Sequence, residues 1–249
     1  MKRSQHHVLL MISLVVIPIL FQACVPVTYT AYNANRYRLG RTLGQGLVHV
    51  TTSLASAPVV SDAGETTRIE SSVDASGTTM NFELTMGILD RTDVILNGGV
   101  GTGSGHWGFA IQQQLTPRGE PFALSVAPGM SFIDGQRDDS DDDEWDWGEY
   151  SSSLSSWIDS RMTVTELRVP MSYRFTKCVE LLWGVGLLYF DHRADYGDSD
   201  GTSRHLERYW TTPVGSVGIR LGFVTLEATR LSFDGHPMNT VGSALRFHF

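Results

Sequence analysis

The sequence predicts an all-β fold: a transmembrane, antiparallel up-and-down barrel of about ten strands, within a range of eight to twelve. Three observations carry this. Segments of roughly ten residues alternate apolar and polar side chains, the period of two expected where one face meets hydrocarbon and the other a polar lumen. The links between these segments alternate between short and longer. The last segment ends on an aromatic: Val241, Leu245, Phe247 and Phe249 share one face, and Thr240, Gly242, Ala244, Arg246 and His248 share the other.

Taken in order, residues 1–23 read as an export signal. Lys2 and Arg3 form its positive start, and the apolar run from Val8 to Phe21 is too short for a transmembrane helix. Residues 24–45 are expected to be an N-terminal anchor and periplasmic linker, rich in Tyr and Asn up to Tyr37, and 46–249 the barrel. Mean hydropathy is only −0.09, and no segment after residue 23 nears the apolar length of a membrane helix. A barrel hides its hydrophobicity from such averages, because its two faces cancel. The 25 glycines also suit a barrel more than a helical domain.

The expected strands are 46–56, 79–89, 93–103, 106–115, 122–132, 162–175, 178–190, 208–221, 223–232 and 239–249. Met80, Phe82, Leu84, Met86 and Ile88 alternate with Asn81, Glu83, Thr85 and Gly87. Thr163, Thr165, Leu167, Val169 and Met171 alternate with Glu166, Arg168 and Ser172; Val224, Leu226 and Ala228 alternate with Thr225, Glu227 and Thr229. The first set in each case should face lipid. A soluble sandwich would also alternate, but its strands are usually nearer five or six residues. Short links at 90–92, 116–121, 176–177 and 222 alternate with long ones at 57–78, 133–161 and 191–207 and intermediate ones at 104–105 and 233–238. Outer-membrane barrels show this asymmetry between periplasmic turns and outer loops. Aromatics gather at two depths. Phe122, Tyr173, Phe175, Phe223, Phe247 and Phe249 lie towards the short turns, and Trp107, Phe109, Phe132, Tyr189, Tyr209 and Trp210 towards the long loops.

The lumen should hold both charge signs, Glu83, Glu166, Glu180 and Glu227 against Arg168, Arg174, Arg220 and Arg246. Buried charges must be paired or solvated, so these residues are expected to fill the lumen as a network. The alternative is a narrow charged pore, for which small inward residues (Ala123, Ser125, Ala127, Gly129, Gly184, Gly186) leave space. The loop 133–161 carries ten acidic and two basic residues, a net charge of −8 that equals that of the whole chain. The remainder is balanced, which speaks against a nucleic-acid partner. Asp138, Asp139, Asp141, Asp142, Asp143 and Glu144 are the candidate Ca²⁺ ligands, although EF-hand spacing is absent. Trp145, Trp147, Tyr150 and Trp157 in the same loop suit contact with a rim or with sugars. No catalytic residue is assigned. The two cysteines, Cys24 and Cys178, exclude a disulfide scaffold.

Two resemblances follow from these residues. The C-terminal strand with Leu245, Phe247 and Phe249 resembles the sorting signal of Gram-negative outer-membrane β-barrels, and 43–54 and 86–94 resemble the strand and turn phrasing of small barrels. Leu20-Phe21-Gln22-Ala23-Cys24 resembles a lipoprotein signal, with Phe21 and Gln22 departing from its usual residues. The resemblances imply an outer-membrane location, both termini in the periplasm, acylation of Cys24 (or else ordinary cleavage near Ala23), and the barrel-assembly machinery, membrane lipids and lipopolysaccharide as partners. The expected role is structural or surface-interacting, with a narrow pore or transporter as the alternative. A third reading is a rim hydrolase like the omptins, for which Asp191, His192, His205 and His106 are the candidate residues. Barrel-type lipid A deacylases use His and Ser on the outer wall, and no such pair stands out. Gly99 to Gly103 is Gly-rich, but no helix follows it to cradle a phosphate.

Overall fold

The computed structural model describes residues 28–32, 35–64, 69–101, 103–137, 157–197, 203–233 and 235–248. The strands are β1 (Thr28–Ala31), β2 (Val48–Gly64), β3 (Ile69–Leu89), β4 (Thr92–Gly101), β5 (Ser104–Gln114), β6 (Phe122–Arg137), β7 (Trp157–Arg174), β8 (Val179–Gly197), β9 (Ser203–Leu221), β10 (Val224–Phe233) and β11 (His236–His248). From β2 to β11 each strand pairs antiparallel with the next in sequence, and β11 pairs with β2. Ten strands therefore close a barrel without a free edge, which is the form a sheet must take to cross hydrocarbon. The eleventh, β1, pairs with β2 from inside this ring of neighbours.

The facing follows the expected alternation. On β7, Met162, Val164, Glu166, Arg168 and Ser172 are buried while Leu167 is 47% exposed. Phe82, Leu96, Phe109, Leu187, Val217, Leu226 and Val241 stand outward around the barrel. An exposed apolar belt of this extent is stable only against lipid.

The strands run further than the alternation suggested. β3 has 21 residues and β8 and β9 have 19 each, against the roughly 9–11 that cross a bilayer. Much of 57–78, 133–137, 157–161, 191–197 and 203–207 is thus strand rather than loop. These parts project beyond the apolar belt: their outer faces meet water, so the apolar–polar period fades in the sequence, while Val60, Ile133, Ser160, His192 and Ala194 stay buried on the inner face. Polar contacts along and between these strands link them instead. His205 Nδ1 lies 2.7 Å from Asp195 Oδ1, and Arg193 Nε lies 3.1 Å from Asp191 Oδ1 and 3.7 Å from Glu207. Hydrogen bonding to Asp195 and then Glu207 raises the pKa of the exposed His205 imidazole above its ordinary value.

The largest departure lies at the N-terminal end. Residues 24–45 were expected to be a periplasmic linker outside the barrel. Instead β1 pairs with Val59–Asp62 of β2, and Asn35 to Thr42 are buried inside the lumen. The segment leaves the lumen at the short-turn mouth, where Gly46 N–H donates to Gly87 O at 2.8 Å, and enters β2 at Val48. Thr28 faces Asp62 and His248 faces His49, at opposite ends of β2. The described residues thus start at one mouth and end at the other. The physical reason is volume. Eight strands already leave an interior that side chains fill, and ten leave space for a further stretch of backbone.

The register makes a prediction. Leu167→Arg puts a cation into mid-membrane hydrocarbon and should lower the unfolding free energy by roughly 2–4 kcal/mol, read by urea titration of the folded barrel in detergent. A variant as resistant as the wild type would mean a register wrong by one residue.

Candidate functional site

The N-terminal segment lies in the lumen as an irregular strip, so its backbone has no ladder partner and the wall must supply one. It does so with side chains. Gln112 Nε2 donates to Leu39 O at 2.7 Å, and Ser125 Oγ to Gly40 O at 2.6 Å. Arg246 Nη2 donates to Tyr37 O at 2.8 Å. In the other direction, Arg36 and Tyr37 N–H donate to the two oxygens of Glu227 at 3.2 and 2.8 Å. Thr42 N–H donates to Gln114 Oε1 at 3.0 Å, and Leu43 N–H to Asp93 Oδ2 at 2.9 Å. The wall groups come from β4, β5, β6, β10 and β11, so the strip is gripped from around the ring.

Charge is the second layer of this grip. Glu166 on β7 holds three guanidinium groups: Arg36 Nε and Arg168 Nε each lie 3.0 Å from Oε2, and Arg38 Nη2 lies 3.0 Å from Oε1. Glu180 on β8 holds Arg41 at 3.0 Å and Arg220 at 2.8 Å, and Arg41 also reaches Pro121 O. These carboxylates and guanidiniums are all nearly removed from solvent. Three of the arginines, at 36, 38 and 41, come from the strip, and the wall answers them.

Close approach decides the small residues. A side chain at Gly40 would run into Ala123 O and the Ser172 backbone, and one at Gly242 would meet Tyr37 Oη. Tyr37 itself adopts a left-handed φ of 48°, a conformation costing on the order of 1 kcal/mol or more for a bulky residue. Its N–H on Glu227, its O on Arg246 and its hydroxyl on Leu54 O at 3.3 Å hold it there. The small inward residues read as free pore space are thus, at Ala123 and Ser125, where the strip's backbone rests.

Towards the long-loop mouth the lumen turns apolar. Tyr32, Val60, Ile133, Met162, Val164, Leu188, Phe190, Val214, Leu231 and Met238 form one buried cluster with Trp210 packed on it. Phe190 stacks on Trp210 at 4.8 Å between centroids and meets the edge of Tyr32 at 5.2 Å. Trp210 therefore points inward and is not part of an outer aromatic girdle; Trp107 and Phe132 do stack outside, at 4.4 Å. The outer part of β2 reaches across to bring Val60 into this cluster, and β1 lies against β5, β6 and β7. Among the described residues, two small cavities lie beside the strip, each about 20 Å³, room for about one water.

The expected lumen residues divide as follows. Glu166, Arg168, Glu180, Arg220, Glu227 and Arg246 are buried inside, and Glu83 is half-buried beside the cavity that Asn35, Arg36 and His106 line. Arg174 sits at the short-turn mouth and is exposed, so it takes no place in the buried network. Reading the wall alone missed Arg36, Arg38 and Arg41; their one sequence signal is three arginines crowded into a stretch taken for a linker. The acidic candidates Asp138, Asp139, Asp141, Asp142, Asp143 and Glu144 lie outside the described residues, as do Cys24 and Phe249. Leu245 and Phe247 stand on the outward face of β11, and Cys178 is an exposed thiol in the short turn between β7 and β8.

The histidines proposed for a rim enzyme do not converge. His192 points inward, 3.1 Å from Ser160 Oγ, while its neighbour Asp191 points outward to Arg193. His205 is on the outer surface and His106 lines an inner cavity. Among the described residues no cluster of metal-ligating side chains occurs.

No family model matches this chain, and no curated protein matches it in sequence. Solved structures similar to it include Ail, the attachment invasion locus protein of Yersinia pestis, with 14% identity over 82% of this chain and 99% of that one and a TM-score of 0.34. The N-terminal β-barrel domain of Pseudomonas aeruginosa OprF has 11% identity over 82% and 99%, with a TM-score of 0.34. The outer membrane protease OmpT of Escherichia coli has 9% identity over 90% and 96%, with a TM-score of 0.35. Likeness this distant concerns barrel architecture alone.

The grip on the strip is testable at its centre. Glu166→Gln keeps the shape but leaves Arg36, Arg38 and Arg168 facing one another. Breaking a buried pair in this way should cost about 3–5 kcal/mol, read by urea titration in detergent. Adding Arg36→Gln should cost less in this background than alone, because the two side chains share one interaction. Additive losses would show that the strip is not held at Glu166.

Proposed function

We propose that this protein is an outer-membrane barrel permanently filled by its own N-terminal segment, with a structural and surface-presenting role rather than solute passage. The observation that carries this reading is the occupied lumen. Residues 35–43 are bound to the wall by carboxylates, amides and hydroxyls, and the apolar cluster around Phe190 closes the path above them. A diffusion pore needs a continuous wet path, and among the described residues the two cavities beside the strip, each about 20 Å³, do not provide one.

The apolar belt supports residence in a bilayer, and the strand count, short turns and C-terminal strand support the outer membrane. In this reading the belt contacts membrane lipids and, on the outer side, lipopolysaccharide. Leu245, Phe247 and the final Phe249 serve recognition by the assembly machinery, and residues 1–23 direct export. The projecting hairpins β6–β7 and β8–β9 present the charged outer surface, and with it the acidic loop.

Planar-bilayer recording of the purified protein tests the reading. The wild type should give no steady channel, and a variant with Arg36, Arg38 and Arg41 changed to Ala, if it assembles, should conduct at least intermittently. Steady, reproducible openings by the wild type would contradict a filled barrel and favour the pore.

A further inference from the structure

The two small cavities beside the N-terminal strip face different chemistry. Next to Asn81 and Asn97, the buried polar atoms without a hydrogen-bond partner include acceptors and donors: Asn81 Oδ1, Thr51 Oγ1, and both the oxygen and the nitrogen of the Asn97 amide. A mixed set of this kind suits water. The other cavity, also about 20 Å³, lies against Arg36, Arg38 and Arg168, with Gly184 and Ser216 of the wall and Glu227. Its unpartnered buried atoms are donors only. Arg36 and Arg168 direct their Nε and Nη2 groups to Glu166, Ser131 and Tyr32. Both oxygens of Glu227 accept from the strip's backbone. Arg38 Nη2 has an ion pair with Glu166 Oε1 at 3.0 Å, but its Nε and Nη1 have neither a hydrogen bond nor an ion pair, on a side chain only 3% exposed.

Charge points the same way. In the polar tier of the lumen, the arginines at 36, 38, 41, 168, 220 and 246 face Glu83, Asp93, Glu166, Glu180 and Glu227. Even with all five carboxylates ionised, one positive charge is left over among the described residues. A buried charge without a counterpart is strongly destabilising, and the crowding of Arg36, Arg38 and Arg168 around Glu166 puts the surplus beside this cavity.

We propose that this cavity is a binding site for one small monovalent anion of the size of chloride, held by the donors that Arg38 leaves unpartnered and flanked by the guanidiniums of Arg36 and Arg168. The site rests on the strip's place in the lumen, since the strip brings two of its three arginines. Room for about one water admits a halide ion and excludes larger anions such as sulfate or gluconate. Gly184 supplies that room. A Cβ there would meet ordinary van der Waals contacts, 3.4 Å from Ser216 Oγ and from Val169 O, so the packing of the wall does not itself demand glycine. The anion would neutralise the surplus charge and satisfy the last donors between wall and strip.

The test uses the purified barrel in detergent, titrated with urea at a series of chloride concentrations, with gluconate replacing chloride so that ionic strength stays constant. A ligand that binds only the folded state multiplies the folded-to-unfolded ratio by one plus its concentration over its dissociation constant. The ratio should therefore rise with chloride, approaching tenfold for each tenfold increase, and bromide should act likewise. Arg38→Met removes the donors and the surplus charge together, and should make the ratio independent of the anion. Gly184→Val keeps every charge but occupies the cavity, and should do the same; it serves alone should Arg38→Met fail to assemble. A wild type indifferent to chloride, or a dependence that survives in the variants, would overturn the site. Crystals of the wild type grown with bromide should show an anomalous peak beside Arg38, and a water there in place of bromide would overturn it too. A wild type that ignores chloride and still passes no current in a planar bilayer would lose the anion and keep the filled barrel.

Discussion

Burial of the Glu166 carboxylate is the constraint on which the rest of the lumen depends. An ionised carboxylate taken out of water is tolerated only with charge partners and hydrogen bonds. The wall offers Arg168 at 3.0 Å, and the N-terminal strip adds Arg36 and Arg38 at the same distance. Three guanidiniums around one carboxylate would in turn be an excess of positive charge. Glu227, buried nearby, takes the backbone N–H groups of Arg36 and Tyr37. One level down, Glu180 repeats the arrangement with Arg41 and Arg220. Wall and strip supply each other with charge partners and backbone hydrogen bonds at Glu166, Glu180 and Glu227, which is why an irregular segment keeps one position inside a regular barrel.

The lumen has two tiers with different physics. The tier towards the short turns is polar, and its geometry is fixed by directional bonds to Gln112, Gln114, Ser125 and Asp93. The tier towards the long connections is a small hydrophobic core of the kind found in soluble proteins, built on Phe190, Trp210 and Tyr32. Tyr32 joins the two, since its ring packs on Phe190 while its hydroxyl accepts from Arg168 at 3.3 Å. The polar tier positions the strip, and the apolar tier excludes water above it.

The barrel was legible in the sequence because hydrocarbon imposes one uniform rule. Most outward residues between the aromatic levels are apolar, so Met80 to Ile88 or Leu167 to Met171 reveal their facing without any knowledge of neighbours. The carboxylates and arginines of the lumen were legible for the same reason, as polar residues in alternation with lipid-facing ones. Beyond the membrane that rule lapses, and the outer parts of β8 and β9, with Asp191, Arg193, His205 and Glu207 on one face, read as loop. Trp210 misled because an aromatic near a strand end fits a girdle as well as an inner core, and only Phe190 and the bent outer part of β2 decide between them. The strip was illegible for a further reason. Asn35 to Leu43 has no periodicity, and its partners lie far away in sequence, Glu166 on β7 and Glu227 on β10. Only the conjunction of three arginines with a lumen rich in carboxylates pointed to it.

The central claim is that residues 35–43 are part of the folded interior. Hydrogen–deuterium exchange of the purified barrel in detergent, followed by peptide mass spectrometry, measures this directly. The account predicts that amides of Arg36, Tyr37, Thr42 and Leu43, which donate to Glu227, Gln114 and Asp93, exchange as slowly as those of the barrel strands and open only with global unfolding. Exchange of this segment at the rate of an unstructured tail, in a barrel whose strands stay protected, would contradict it.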